Sequence, residues 1–194
     1  MRVGLTGGIA SGKSAVADIL KNENIPVVDA DEVSRAVMRP GSPLFQQIVQ
    51  AFGHEVLNPE GDLDRAALGE KVFSNPKALE RLNSLTHPVI WAEMQRQVSQ
   101  LEQTHSLVVV MVPLLLENGR QDFVDEVWLV SLPRDVQKAR LMARNQLTEA
   151  QAEARISAQM PLEEKLKLAD RVIDNSGDLA HLRQGLHSLL NSLH

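Results

Sequence analysis

The 194-residue chain contains no cysteine and no tyrosine. Without cysteine there is no disulfide, no thiolate nucleophile and no cysteine-ligated metal. Aromatic residues make up only 3%, as two Trp and four Phe, so a base-stacking platform for nucleic acid is not expected. A basic excess is missing as well. Lys and Arg number 20 against 25 Asp and Glu, for a net charge of −5, which disfavours a nucleic-acid partner. No apolar run approaches the length that spans a membrane, so no membrane partner is expected. The first residues enter a strand and a glycine loop directly and leave no room for a secretory signal. Together these absences point to a cytoplasmic protein, monomeric or weakly homo-oligomeric. What remains, 43% hydrophobic and 23% charged, is the composition of an ordinary globular domain. The length suits one domain with an insertion.

The most informative segment is Gly7-Gly8-Ile9-Ala10-Ser11-Gly12-Lys13-Ser14, which fits G-x-x-x-x-G-K-[ST], a triphosphate-binding loop. Its context agrees. Val3 to Thr6 reads as a short apolar strand, and Ala15 to Leu20 reads as a helix. Glycines let backbone N–H groups converge on phosphate oxygens, and the helix N-terminus adds its positive end. Lys13 then places a charge on the β- and γ-phosphates, and the Ser14 hydroxyl is a ligand for Mg²⁺. ATP with Mg²⁺ is the expected pair, because no N-K-x-D guanine signature occurs.

Four further runs read as buried strands: Ile25–Val28, Leu107–Val112, Val127–Ser131 and Arg171–Ile173. The unbroken β-branched stretch at 107–112 is typical of a parallel strand covered on both faces. Helical patterns between them, such as Ala66–Phe73 and Pro88–Leu101, predict an α/β fold: a five-stranded parallel sheet with a P-loop nucleoside-triphosphate hydrolase core. The spacing is uneven. Residues from about 33 to 105 read as a helical insertion on the ligand side of the sheet, compatible with substrate binding, and the basic residues of about 134 to 167 suggest a closing lid. The core is left with 1–32, 106–133 and 168–194. Thr148 and Gln151 make a capping-box pattern inside the lid. Asp178 to Leu193 reads as an amphipathic helix.

Asp29-Ala30-Asp31 closes the second strand. Ligands bind beyond the carboxyl ends of strands in open α/β sheets, and alternate residues of an extended chain share a face. One carboxylate, Asp29, is therefore a candidate for holding Mg²⁺. The other, Asp31, is a candidate for accepting the proton of an attacking hydroxyl. The competing role is helix capping by Asp31. Basic residues of the lid suit the spreading negative charge of a migrating phosphoryl group. Arg140 and Arg144 share a helical face, whereas Arg134 and Lys138 fit a solvated face paired with Glu149, Glu153, Glu163 and Glu164. Glu117 either faces the site or caps a turn. Asn175 either presents its backbone to adenine or forms a turn. The third strand ends in Met111 and Val112 with no Walker B aspartate, which argues against an ATPase motor or a GTPase.

With these residues in view, nearly the whole chain resembles the dephospho-CoA kinase family. The resemblance is carried by the glycine loop, by Asp29-Ala30-Asp31 with Arg35, and by Thr86-His87-Pro88. It extends through Val112-Pro113-Leu114-Leu115-Leu116-Glu117, Gln159 after Arg155-Ile156, and Asp170 to Asn175. It implies transfer of the ATP γ-phosphate to the ribose 3′-hydroxyl of dephospho-CoA. It implies ATP contacts from Gly8, Ile9, Ala10, Ser11, Gly12, Lys13, Ser14, Ala15, Arg140 and Asn175. By the same token Asp31 is the base, Arg35 and His87 belong to the acceptor side, and Lys13 and Arg140 assist catalysis. Trp91 stands where many members carry Arg, and Met111 where many carry Asp. The competing expectations are another small-metabolite P-loop kinase, of shikimate, gluconate or nucleoside-monophosphate type, and a nucleotide-dependent switch without transferase activity.

Overall fold

A computed structural model describes residues 1–193. Five strands form one sheet in the order β2-β3-β1-β4-β5, with β1 at Arg2–Gly7, β2 at Val27–Asp29, β3 at Val108–Met111, β4 at Glu126–Ser131 and β5 at Arg171–Asp174. The chain divides into two compact units, residues 1–27 with 101 onward, and residues 28–100.

In the first unit β1 is central and pairs in parallel with β3 and β4. Leu5 lies opposite Met111 on one side and Trp128 on the other. Strand β4 pairs in parallel with β5, and Trp128 faces Arg171. Val3, Leu5, Val109, Trp128 and Val130 send their side chains to a core shared with Val16 and Leu20 of helix α1 (Lys13–Asn22) and Leu182 and Leu186 of helix α9 (Leu179–Asn191). Burial of branched aliphatic chains on this face, worth about 1.5–3 kcal/mol each, fixes both helices on the sheet. On β1, Gly4 has no side chain because Leu115 occupies the space, 2.5 Å from where a Cβ would stand.

Helix α6 (Arg134–Asn145) and helix α7 (Glu149–Ser157) are joined by Gln146, which takes a left-handed conformation at φ 52°. The Thr148–Gln151 capping box expected from sequence closes the start of α7 on both sides. Leu141, Ala152 and Ile156 form a small core between these helices, and Ile9 and Ala10 of the glycine loop pack against it. Helix α8 (Leu162–Leu168) follows.

The second unit is helical, with α2 (Ala30–Val37), α3 (Pro43–Phe52), α4 (Arg65–Phe73) and α5 (Pro76–Leu101), whose last residue crosses into the first unit. It has its own core of Leu44, Ile48, Phe52, Val56, Leu68 and Val72. Helix α5 begins twelve residues before the Pro88 start that the sequence suggests. Proline inside a helix removes one i→i−4 hydrogen bond, and its ring crowds the carbonyl four residues back. Leu79, Leu82 and Leu85 pack on the unit's core, and this burial outweighs the lost bond, so the helix runs through Pro88.

Candidate functional site

Strand β1 ends at Gly7, and α1 begins at Lys13. Gly12 is the N-cap residue of α1, with φ 94° and no side-chain cap. The first-turn N–H groups of a helix have no acceptor within it, so they are open to an anion. Side chains are excluded from this backbone by contact as well as by conformation. A Cβ on Gly7 would come within 2.7 Å of Val130 O, and one on Gly12 would strike the Asn175 carboxamide. Lys13 Nζ donates to Gly7 O at 2.8 Å and Gly8 O at 3.0 Å. The loop thus wraps its own ammonium, and this concave, glycine-lined cradle fits a polyphosphate. Ser14 is exposed next to it, and Ala15 continues the helix.

The residues around the loop are committed to its geometry. Asn175, at 6% exposure, donates from Nδ2 to Ser11 O at 2.7 Å, and its own N–H reaches Ser131 O at 2.8 Å. Its side chain therefore holds the loop, a role beyond the backbone contact expected from sequence. Ile9 N donates to Gln159 Oε1 and Ile9 O accepts from Gln137 Nε2, both at 2.8 Å. A cavity of about 430 Å³ opens beside the loop, with Gly8, Ser11, Arg134, Gln137, Gln159 and Lys165 on its wall.

Lys165 is the buried residue of α8 at 1% exposure. Its Nζ stands 2.6 Å from Glu117 Oε1, an ion pair whose angles fall outside hydrogen bonding. Glu117 therefore does not cap a turn; it neutralises a buried cation on the wall of the cavity beside the loop. Sequence reasoning missed Lys165 because a lysine in the charged run Glu163-Glu164-Lys165-Leu166-Lys167 reads as solvent-exposed, and only the acid at 117 hinted at a partner. The lid cations divide as the pattern suggested for two of them. Arg134 pairs with Glu153, and Lys138 with Glu149. Arg140 is half-buried and has no hydrogen bond or ion pair among the described residues.

In the second unit, β2 ends at Asp29, and the chain turns at once into α2. Capping falls to Asp29 and not to Asp31: Asp29 Oδ1 accepts from Asp31 N at 2.8 Å. Asp31 is consequently helical, so the shared face of an extended chain does not apply to the pair. Asp31 is exposed in the first turn, one helical turn before the exposed Arg35. His87 lies on the wall of a mostly apolar cavity of about 370 Å³, together with Met38, Leu68, Phe73 and Thr86. Phe73 is 80% exposed there.

Among the described residues no three His, Cys, Asp or Glu gather into a metal cluster. The donor chemistry fits an ion carried mainly by phosphate oxygens, with the Ser14 hydroxyl as a protein ligand.

The fold and the glycine loop define a P-loop kinase. At the level of fold alone, a shikimate kinase from Aquifex aeolicus superimposes with a TM-score of 0.52 at 17% identity, covering 99% of this chain and 97% of that one. A family model described as dephospho-CoA kinase matches residues 1–181. Dephospho-CoA kinase of Carboxydothermus hydrogenoformans is 45% identical over 189 residues, 97% of this chain and 92% of that protein. That of Geobacillus kaustophilus is 45% identical over 191 residues, 98% and 95% of the two chains. A solved dephospho-CoA kinase from Campylobacter jejuni aligns with a TM-score of 0.76 at 30% identity, covering 99% and 96%. The chain belongs to the dephospho-CoA kinase family.

Proposed function

We propose that the protein transfers the γ-phosphate of ATP to the ribose 3′-hydroxyl of dephospho-CoA, giving coenzyme A and ADP. The observation that carries this reading is the cradle itself, Gly7 to Ser14 wrapped around Lys13 Nζ, in a chain of the dephospho-CoA kinase family. Residues Gly8 to Ala15 bind the phosphates, and Lys13 shifts from the loop carbonyls to the β- and γ-phosphates. Mg²⁺ would be held by Ser14 and Asp29 and would supply charge neutralisation. Asp31 accepts the 3′-hydroxyl proton, and Arg35 and His87 bind the acceptor. The apolar cavity beside His87 takes the less polar part of dephospho-CoA. Segment 134–167 acts as the lid, and Arg140, lacking an internal partner, turns to the nucleotide. Asn175 keeps the loop in register and presents its backbone to the base.

Phosphoryl transfer needs positioning and charge stabilisation more than covalent work by the protein, and these residues supply both. The reaction belongs to the cytoplasm, and the enzyme works as a monomer or weak homo-oligomer. No helix among the described residues is long and apolar enough to cross a membrane. The test is consumption of Mg-ATP by the purified protein with dephospho-CoA, beside shikimate, gluconate, AMP and no acceptor, the product being resolved by mass. Coenzyme A formed from dephospho-CoA alone is the expected result. Turnover with another acceptor only would overturn the assignment.

A further inference from the structure

One residue of the glycine loop is held on both of its backbone polar groups by side chains from outside the loop. Ile9 N–H goes to Gln159 Oε1, in the link between α7 and α8, and Ile9 C=O takes Gln137 Nε2 from α6. The rest of the loop is organised around these two bonds. In a trans peptide the C=O and the N–H point in opposite directions. The Gly8–Ile9 peptide therefore sends its carbonyl away from Gln159, where it accepts from Ser11 N at 3.2 Å and Lys13 Nζ at 3.0 Å. The Ile9–Ala10 peptide sends its N–H, that of Ala10, away from Gln137.

Ala10 itself is left-handed at φ 57°, a conformation that costs a non-glycine residue on the order of 1 kcal/mol. Something must hold it there, and the two glutamines together with the packing of Ile9 and Ala10 on Leu141 and Ile156 do so. Gly8 leaves the space for this arrangement. A Cβ at residue 8 would stand 2.5 Å from Gln137 Nε2 and 3.6 Å from Gln159 Oε1.

We propose that Gln137 and Gln159 are positioning residues for phosphoryl transfer. They fix the two peptides flanking Ile9 so that the Ala10 N–H faces the phosphate oxygens, and they tie that geometry to segment 134–167. Ligand contacts stay with the loop; the glutamines act through it. A consequence is that the triphosphate and this segment are coupled through Ile9, so that loosening either glutamine is felt at ATP and not at the acceptor. The inference rests on the kinase reading above.

The experiment exploits the opposite direction of the two bonds. In Gln159→Glu the new carboxylate still accepts from Ile9 N–H. In Gln137→Glu the donor is lost, and a carboxylate faces the Ile9 carbonyl. Both variants add the same charge beside the same cavity, so any general repulsion of ATP is common to both. The expected result is a kcat/KM for ATP at least about tenfold lower in Gln137→Glu than in Gln159→Glu. The KM for the acceptor stays unchanged, and melting temperatures remain close to that of the unaltered protein. Gln137→Met and Gln159→Met, which lack both functions, should each lose ATP affinity by direct titration calorimetry. Equal losses in the two Glu variants, or Met variants that bind ATP as the unaltered protein does, would overturn the proposal. An unaltered protein that binds ATP but phosphorylates a different acceptor would instead overturn the dephospho-CoA assignment. The glutamine comparison would then still be read on that acceptor.

Discussion

Asn175 and Ser11, separated by 164 positions in the chain, are joined by one buried hydrogen bond of 2.7 Å from the carboxamide to the loop carbonyl. Asn175 follows β5 directly, and its N–H is anchored to Ser131 at the end of β4. The edge of the sheet therefore reaches across β4 to set the height of the glycine loop. The Asn175 carboxamide also fills the space that a side chain on residue 12 would need.

Asn175→Leu keeps most of the volume but strands the Ser11 carbonyl. A buried acceptor left unmade costs about 1–3 kcal/mol. The melting temperature should fall, and ATP affinity should fall with it because the orphaned peptide belongs to the loop. Paired thermal melts and ATP titrations check this; an unchanged ATP affinity would confine Asn175 to a purely structural role.

Lys13 and Asp31 should separate binding from chemistry. In Lys13→Met the cradle loses its cation, and turnover should drop by about 100-fold or more, with a weaker hold on ATP. Asp31→Asn removes a proton acceptor, so kcat should fall by about 100-fold or more, while ATP affinity changes little. Steady-state kinetics on both substrates read the two patterns. An Asp31→Asn variant with undiminished turnover would remove Asp31 as the base.

Glu126 carries a pH dependence. The Arg171 guanidinium, hydrogen-bonded to it, and then the Trp128 indole N–H, hold its carboxyl below the usual range. A carboxyl depressed in the folded state stabilises the fold at pH above its unfolded value, about 4.3. That contribution is lost as pH falls through the lower folded value. Acidification should therefore weaken the β4–β5 pairing. Glu126→Gln should be less stable than the unaltered protein at pH 7 and should show a smaller further loss between pH 5 and pH 3. Urea midpoints followed by tryptophan fluorescence across that range give the comparison.

Lys165 and Glu117 form a buried pair, and removing one partner strands the other. Lys165→Met alone should destabilise by about 3 kcal/mol or more, and Glu117→Leu alone in the same direction. The double variant should recover most of the loss, because a matched apolar replacement is often neutral. Urea denaturation of the three proteins tests the cycle. Additive losses in the double variant would show that the two side chains do not depend on each other.

The strands were legible because each holds a short apolar run, unbroken in β3, and the loop because its glycines and lysine have fixed spacing. The helical character of residues 33–105 was legible too, although Pro88 misplaced the start of α5. Proline is a breaker only where packing does not compensate, and the leucines at 79, 82 and 85 compensate. The exchange of capping between Asp31 and Asp29 has a similar origin. Either carboxylate suits an N-cap, and the choice depends on where β2 stops pairing. The roles of Gln137, Gln159 and Asn175 toward the loop were not legible in their partners. A carboxamide looks the same in sequence whether it meets solvent or a peptide a hundred residues away.

By itself the sequence determined the chemistry of the loop, the number and character of the strands, and the candidate base at residue 31. These follow from local spacing, and local spacing survives in the linear chain. Only the tertiary structure decided the strand order β2-β3-β1-β4-β5, the burial of Lys165 against Glu117, and the grip of two glutamines on Ile9. Each of these is a meeting of distant segments, and its geometry exists only once the sheet and its covering helices have excluded water from between them.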